Sequence, residues 1–393
     1  MHHEDAGWPP PDLKVSVVIP TRNGARRVPL LLEALAAQRR APAWEAIVVE
    51  DGSTCLAPEM ATLHDRVRIV HQRQQGPAAA RNRGAAESTG CILLFVDDDC
   101  QPHPTWMEEM VRPFSDPEVV AVKGAYATSQ SSTVARFVQC EYEEKFDRLS
   151  KKPHVDFVDG YSAAFRREVF ERANGYDESF STPSVEDRDL SLRLSKAGNK
   201  MVFNRAAVVD HLHVESVLGY LAKKLKYGRW GIRILGRMPR EFVSDDHTPD
   251  SQRLQVILVM LLPALTLVSA VATPWLLAAW AATFWGSSYD LVRRCWRAHW
   301  RVGLMAPLLV LLRALGLAGG LAFGACESAL RGGPGSTPWS PVAPVGERSR
   351  RDSPLPVADR EQRPSGRPAP PLTQPPDPAR DVAASRLSAG RAR

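Results

Sequence analysis

Ile92-Leu93-Leu94-Phe95-Val96-Asp97-Asp98-Asp99 is the stretch on which the fold of this chain turns. An apolar run this short, rich in branched and aromatic side chains, has the composition of a strand covered on both faces. It ends abruptly at three carboxylates. Adjacent aspartates concentrate negative charge, which is costly unless a cation neutralises it, and oxygen ligands suit Mg²⁺ or Mn²⁺. An isolated triplet would be explained equally well by a solvated loop or by capping of the helix predicted over residues 105–110. Placement at the end of a strand sets this one apart, because open α/β sheets bind ligands beyond the carboxyl ends of their strands.

Upstream, residues 15–19 form a β-branched run closed by Pro20 and the turn-like Arg22-Asn23-Gly24, and residues 28–38 repeat Leu and Ala at helical spacing. Apolar runs return at 46–49 and 67–70, and an Ala-rich segment, 78–88, precedes the run at 92–96. Four strands alternating with loops or helices predict an α/β fold with a largely parallel sheet. The strand ends are chemically rich: Thr21 closes the first, Glu50-Asp51-Gly52-Ser53 the second and the aspartate triplet the fourth. Further on, Ser184-Val185-Glu186-Asp187-Arg188-Asp189 opens an amphipathic helix. Stabilising the helix dipole explains some of that acidity, but two adjacent carboxylates and a third two residues later exceed what a cap requires. A buried carboxylate near a metal site suits a general base.

The 393 residues carry a formal net charge of +6, yet the basic side chains gather beside apolar segments and in the tail rather than interleaving with aromatics. That pattern fits a membrane surface and excludes a nucleic-acid polymer as partner. Cysteines at 55, 91, 100, 140, 295 and 326 have no paired spacing and read as ordinary reduced thiols. Residues 254–289 contain no charged side chain, and at about 1.5 Å per residue would make roughly 54 Å of helix, more than one bilayer core of about 30 Å. Basic flanks on both sides, including Lys223, Lys224, Arg293 and Arg294, predict a transmembrane hairpin turning near Thr273-Pro274 with both ends cytosolic. A third apolar element, 302–326, carries Arg313 at its middle and either spans or lies at the interface, with the balance toward the interface. The expected organisation is a flexible N-terminus (1–12), a catalytic domain (13–230), a basic linker (231–253), the hairpin (254–289), a basic cytosolic loop (290–301), the third element and a disordered Pro/Arg-rich tail (331–393). Residues 1–12 lack an apolar leader core, so the expected location is the inner membrane with the catalytic domain in the cytoplasm.

Several of these motifs recur in one order over about residues 14–230 in a way that resembles the family 2 glycosyltransferases. Val15-Ser16-Val17-Val18-Ile19-Pro20-Thr21-Arg22-Asn23 is similar to the family's first strand and loop, and Val48-Val49-Glu50-Asp51-Gly52-Ser53 to its base-binding motif. Gly76-Pro77-Ala78-Ala79-Ala80-Arg81-Asn82 resembles its Gly-x-x-x-Ala-Arg-Asn segment, Asp97-Asp98-Asp99 its DxD element, and Glu186-Asp187 its Glu-Asp motif. The resemblance implies a GT-A-type, mostly parallel sheet flanked by helices, and metal-assisted, inverting transfer of a sugar from a nucleoside-diphosphate sugar to an acceptor hydroxyl on a lipid-linked or cell-envelope glycan. By position it implies that Thr21, Glu50 and Asp51 meet the nucleotide, that Arg81 approaches base or phosphate, and that Asp97 supports the donor. Asp97 and Asp99 would bracket the metal, with Asp99 as direct ligand, while His211 or His213 approaches the metal or diphosphate and Asp187 removes the acceptor proton. Glu50 stands where aspartate is commoner, and Tyr161-Ser162, after Gly160 and before Ala164-Phe165-Arg166-Arg167, replaces a small residue and Asn on the acceptor side. Tyr227-Gly228-Arg229-Trp230 is expected at the membrane interface. A dinucleotide-dependent dehydrogenase would need three fingerprint glycines where only Gly24 stands. A catalytically inactive sugar-binding or scaffold protein on the same fold is the alternative.

Overall fold

Each of the four apolar runs is a strand: β1 (Lys14–Thr21), β2 (Ala43–Asp51), β3 (Val67–Gln72) and β4 (Ile92–Val96). The computed structural model describes residues 10, 13–53, 65–180, 185–246, 248–271, 273 and 275–330. The tail expected at 331–393, nearly all of the N-terminus expected at 1–12, Cys55, Ser184 and Pro274 lie outside the described residues. Strands β1 to β4 pair in parallel in the order β3-β2-β1-β4. Parallel neighbours need crossovers, supplied here by α1 (Val28–Ala36) and α2 (Pro77–Glu87) among others. β1 and β4 bury their apolar side chains almost completely, whereas β3 at the sheet edge is only half-buried. Because the chain goes to β2 on one side of β1 and later to β4 on the other, the strand order reverses beside β1. The ends of β1 and β4 therefore flank a crevice of the kind that holds ligands.

Helix α2 approaches the sheet closely because its buried face is Ala78, Ala79, Ala80, Gly84 and Ala85. A Cβ on Gly84 would stand 2.3 Å from Val18 Cγ1, so nothing larger fits there. Beyond β4 the sheet becomes mixed. β5 (Cys100–Pro102), β6 (Val119–Ala127), β7 (Ser162–Arg166) and β8 (Lys200–His211) continue it as β4-β7-β6-β8-β5. β7 runs antiparallel to both neighbours, β5 antiparallel to β8, and β6 parallel to β8. The remaining helices of the α/β part are α3 (Trp106–Val111), α4 (Thr133–Leu149), α5 (Arg167–Arg172) and α6 (Glu186–Lys196).

Helix α7 (Val217–Arg237) passes straight through residue 230, so a continuous helix, followed by short α8 (Pro239–Ser244), leads from the sheet toward the apolar segments. These are α9 (Asp250–Val271), α10 (Trp275–Ala298) and α11 (Trp300–Leu330). Two described helices are long and apolar enough to cross a membrane, Asp250–Ala270 and Trp300–Leu330. The uncharged stretch 254–289 is divided between α9 and the start of α10. The uncharged part of α10, at about 1.5 Å per residue, reaches roughly 22 Å before Asp290, Arg293 and Arg294 begin. α11 packs along α7 at backbone contact: a Cβ on Gly320 would meet Leu225 O at 2.2 Å and one on Gly228 would meet Leu317 O at 2.4 Å.

Arg313, the residue that weighed against a spanning third element, is buried within the protein. Its Nη1 donates to Glu141 Oε1 on α4 at 2.9 Å and its Nη2 to Gln255 Oε1 on α9 at 2.8 Å. Lys224 Nζ on α7 reaches Glu141 Oε2 at 3.1 Å, and Tyr220 Oη donates to Glu141 Oε1 at 3.0 Å. One carboxylate thus joins α4 to α7 and α11, and the arginine faces protein.

Two stability outcomes follow. Gly84→Val should cost about 1–3 kcal/mol by overpacking against Val18, read as a lower unfolding temperature in detergent; an unchanged transition would mean that α2 is not seated this closely. Glu141→Leu should cost about 3–5 kcal/mol by leaving buried cations uncompensated, and Glu141→Leu with Arg313→Leu should recover part of the loss. Strict additivity in that pair would contradict the coupling.

Candidate active site

The three aspartates after β4 have different surroundings. Asp98 is pinned: Thr21 Oγ1 donates to its Oδ2 at 2.5 Å, and Arg27 donates to Oδ1 at 3.1 Å and Oδ2 at 2.9 Å. Thr21, a nucleotide-contact candidate by sequence, therefore has its hydroxyl committed to bracing the triplet. Asp97 Oδ1 accepts from Arg81 Nη2 at 2.7 Å, while Arg81 Nη1 donates to Glu186 Oε1 at 3.0 Å. Arg81 is buried. Burial by itself lowers its pKa, but Asp97 and Glu186 more than offset this and raise it, so the guanidinium stays charged. Arg81, expected near base or phosphate, here bridges the strand-end triplet and the start of α6.

The carboxylates at the end of β2 organise the next turn. Asp51 accepts from Gln75 N at 2.7 Å and Gln72 Nε2 at 2.8 Å through Oδ1, and from Gly76 N at 2.8 Å through Oδ2. Glu50 Oε1 accepts from Ser53 N at 2.5 Å, and its Oε2 lies 3.7 Å from His71 Nδ1. Both carboxylates hold loops at the crevice edge, and Asp51 fixes the entry into α2 and so the direction of Arg81.

Asp99 is brought to a different neighbourhood. β5 pairs with β8 so that Cys100 stands opposite His211, and the ligand atoms of Asp99, Cys100 and His211 lie within 4.8 Å of one another. His211 Nε2 is 3.8 Å from Asp99 Oδ1, and its Nδ1 is buried without a hydrogen-bond partner among the described residues. Burial, then His213 and Lys223, hold the imidazole well below its usual pKa, so it is neutral and able to ligate. Burial, then Asp97 and Asp98, push the Asp99 carboxyl up to about 7, the signature of a carboxylate short of positive charge. Asp99 and His211 thus fit a divalent cation. The Cys100 thiol does not: burial, then Asp99 and Asp97, push its pKa well up, and a protonated sulfur suits a hard cation poorly. His213 has more protein partners, although its Nδ1 too is buried with no hydrogen-bond partner among the described residues. Its backbone N–H donates to Gln130 Oε1 at 2.6 Å, its Nε2 pairs with Gln139 Oε1 at 3.0 Å and its ring stacks on Tyr142.

Asp187, in the first turn of α6, accepts from Gly160 N at 3.2 Å through Oδ2 and from Arg188 N at 2.8 Å through Oδ1. Burial, and then the neighbouring Glu186, raise its carboxyl to about 6. Asp189 turns away to Arg193 Nε at 2.8 Å and supports the helix. Asp187 and Tyr227 line one cavity of about 350 Å³ that reaches α9 and α11. Tyr227 faces this cavity, and Trp230 packs on Phe180 at 5.8 Å between centroids. Arg166 and Arg167 are structural, bonded to the carbonyls of Val119 and Phe114 and of Gly90 and Ala85 respectively. Sequence reasoning left three participants unassigned: Arg27, Glu186 as an anchor of Arg81, and Lys223. Only Glu186 carried a signal, its adjacency to Asp187.

The sheet is mostly parallel, and where its strands end it carries a carboxylate and an imidazole that fit a cation. Residues 16–173 match the family described as Glycosyl transferase family 2. The chain is 38% identical over 233 residues to Glycosyltransferase AglE of Haloferax volcanii, covering 56% of this chain and 73% of that one. It is 31% identical over 223 residues to the Pre-mycofactocin glycosyltransferase of Mycobacterium tuberculosis, covering 54% and 46%. The chain thus spans about half the length of that relative. A mannosyltransferase from Pyrobaculum calidifontis, solved with GDP-Man and Mn²⁺, aligns at 19% identity and TM-score 0.47 over 80% of this chain and 86% of that one. The chain belongs to glycosyl transferase family 2.

If Asp99 and His211 are the cation pair, Asp99→Asn and His211→Ala should each weaken Mn²⁺ binding by more than about tenfold, measured by calorimetry, while Cys100→Ala leaves it nearly unchanged. A large loss confined to Cys100→Ala would exclude this ligand set.

Proposed function

We propose that the protein transfers a glycosyl group from a nucleoside-diphosphate sugar to an acceptor hydroxyl of a lipid-linked or cell-envelope glycan, with inversion at the anomeric carbon. The observation that carries this reading is Asp187: a carboxylate held by two backbone N–H groups, raised to about 6, on the wall of a cavity that runs to apolar helices. In this reading Asp187 takes the acceptor proton at a pH where it is ionised yet still basic. The Gly160 and Arg188 amides fix its orientation, and Arg81, through Glu186 and Asp97, fixes its distance from the donor side. Asp99 and His211 are the residues that would hold Mg²⁺ or Mn²⁺, whose chemistry is neutralisation of the departing diphosphate. Thr21, Glu50, Asp51, Arg81 and Asp97 form the donor-side wall. Displacement by the acceptor oxygen itself needs no covalent nucleophile, and one displacement inverts.

The same proposal anchors the chain in a membrane through α9 and α11. The basic residues of α7 and those following Asp290 favour the cytoplasmic face of the inner membrane.

Asp187→Asn should leave binding of donor nucleotide nearly intact and lower transfer by about 10²–10⁴-fold, followed as nucleotide release with membrane lipid extract as acceptor. A base must be unprotonated, so parental activity should fall as pH drops through about 6, and the residual activity of the variant should lack that limb. Parental turnover in Asp187→Asn would remove Asp187 from the mechanism.

A further inference from the structure

The cavity beside Asp187 has two chemically distinct halves. Its inner half is formed by α4 and α7, which bring Lys145, Lys223 and Lys224 to one space near Asp187. Its outer half is apolar: Val256, Ile257 and Met260 from α9 face Leu317 and Leu321 from α11. Those two helices are the ones long and apolar enough to cross a membrane. Ile257 and Met260 are each 53% exposed, so the apolar half continues onto the outer face of α9. They lie roughly 10–15 Å along the helix from Asp250, at about 1.5 Å per residue. With the charged residues Asp250 and Arg253 at the water boundary, that length would pass from a headgroup region into hydrocarbon.

The charges in this space do not cancel symmetrically. Of the lining carboxylates, Glu141 is engaged by Lys224 and Arg313, Asp159 by Lys123, and Asp187 accepts two backbone N–H groups. Of the lining cations, Arg188 and Arg253 are matched by Asp245. Lys223 has no carboxylate in ion-pair range among the described residues and lies over the Tyr227 ring at 5.8 Å. Burial, then the neighbouring Lys224, lower Lys145 to about 7. An anion entering among these lysines would relieve that cost.

We propose that this cavity binds a phosphate-bearing lipid, with the phosphate among Lys145, Lys223 and Lys224 and the chain leaving between α9 and α11 along Ile257, Met260, Leu317 and Leu321. The inference deepens the transferase reading and rests on it for its role: the lipid phosphate is the membrane-held part of the acceptor, which brings the acceptor's reacting oxygen to Asp187. A soluble anion would use only the lysines, and a neutral lipid only the apolar half. The pairing of the two halves selects a molecule that has both.

Geranylgeranyl monophosphate, geranylgeraniol and inorganic phosphate, titrated against the full chain in detergent, separate these possibilities. The lipid phosphate should bind saturably, the alcohol at least tenfold more weakly, and inorganic phosphate should not displace the lipid at millimolar concentration. Met260→Trp should weaken lipid-phosphate binding by tenfold or more, and Lys145→Ala with Lys223→Ala should abolish the preference for the phosphate over the alcohol. Equal binding of phosphate and alcohol by the parent protein, displacement by inorganic phosphate at lipid-like concentrations, or undiminished binding in Met260→Trp overturns the assignment. Mn²⁺-dependent binding of nucleoside diphosphates, titrated on the same sample, keeps the two readings apart. Nucleotide binding without lipid discrimination sinks the lipid site alone, and lipid discrimination without nucleotide binding sinks the transferase reading alone.

Discussion

The site depends on Arg81. Its guanidinium is buried, and it spans from Asp97 at the end of β4 to Glu186 at the start of α6, with one nitrogen on each carboxylate. A buried cation of this kind is tolerated only when its partners are well placed, and removing one strands the others. The geometry that provides those partners starts from small side chains. The Ala face and Gly84 let α2 sit against β1, Asp51 fixes where α2 begins, and a Cβ on Gly160 would stand 3.1 Å from Arg81 Cζ. Asp99 and Asp187 each lie one or two positions from an anchor of this strap. Their separation is therefore set by the strap rather than by the loops that carry them.

A second ionic centre does for the helical segments what Arg81 does for the sheet. Glu141 collects Lys224, Tyr220 and Arg313, and Arg313 also reaches Gln255, so α4, α7, α9 and α11 meet around one carboxylate. Burial alone pushes the Glu141 carboxyl up, but Lys224, Arg313 and Lys145 bring it down to about 2, so it remains ionised at any physiological pH. The lysine-lined cavity lies beside this centre. α11 packs on α7 through Gly228 and Gly320, and residues of α9 and α11 line the same cavity as Asp187.

Much of the α/β half was legible because parallel strands covered on both faces announce themselves as short apolar runs, and because their polar ends fall where ligands bind. The antiparallel half was not. β7 reads Ser-Ala-Ala-Phe-Arg and β5 has three residues, too little apolar periodicity to separate from a loop. The two histidines were indistinguishable by sequence. The β5–β8 register sets His211 opposite Cys100, next to Asp99, whereas His213 falls beyond the strand against Gln130 and Gln139.

The sequence by itself determined the parallel core, the acidic triplet, the carboxylate pair at 186 and 187, and the presence of long uncharged helices, because each is a local pattern of side-chain type. Tertiary structure decided which aspartate braces and which stays available. It joined Arg81 to a carboxylate 105 residues away and turned Arg313 from an apparent liability into a tie to a residue 172 positions distant. Charge pairing is decided by proximity in space, and in a low-dielectric interior an ionised group takes whatever partner the packing brings to it.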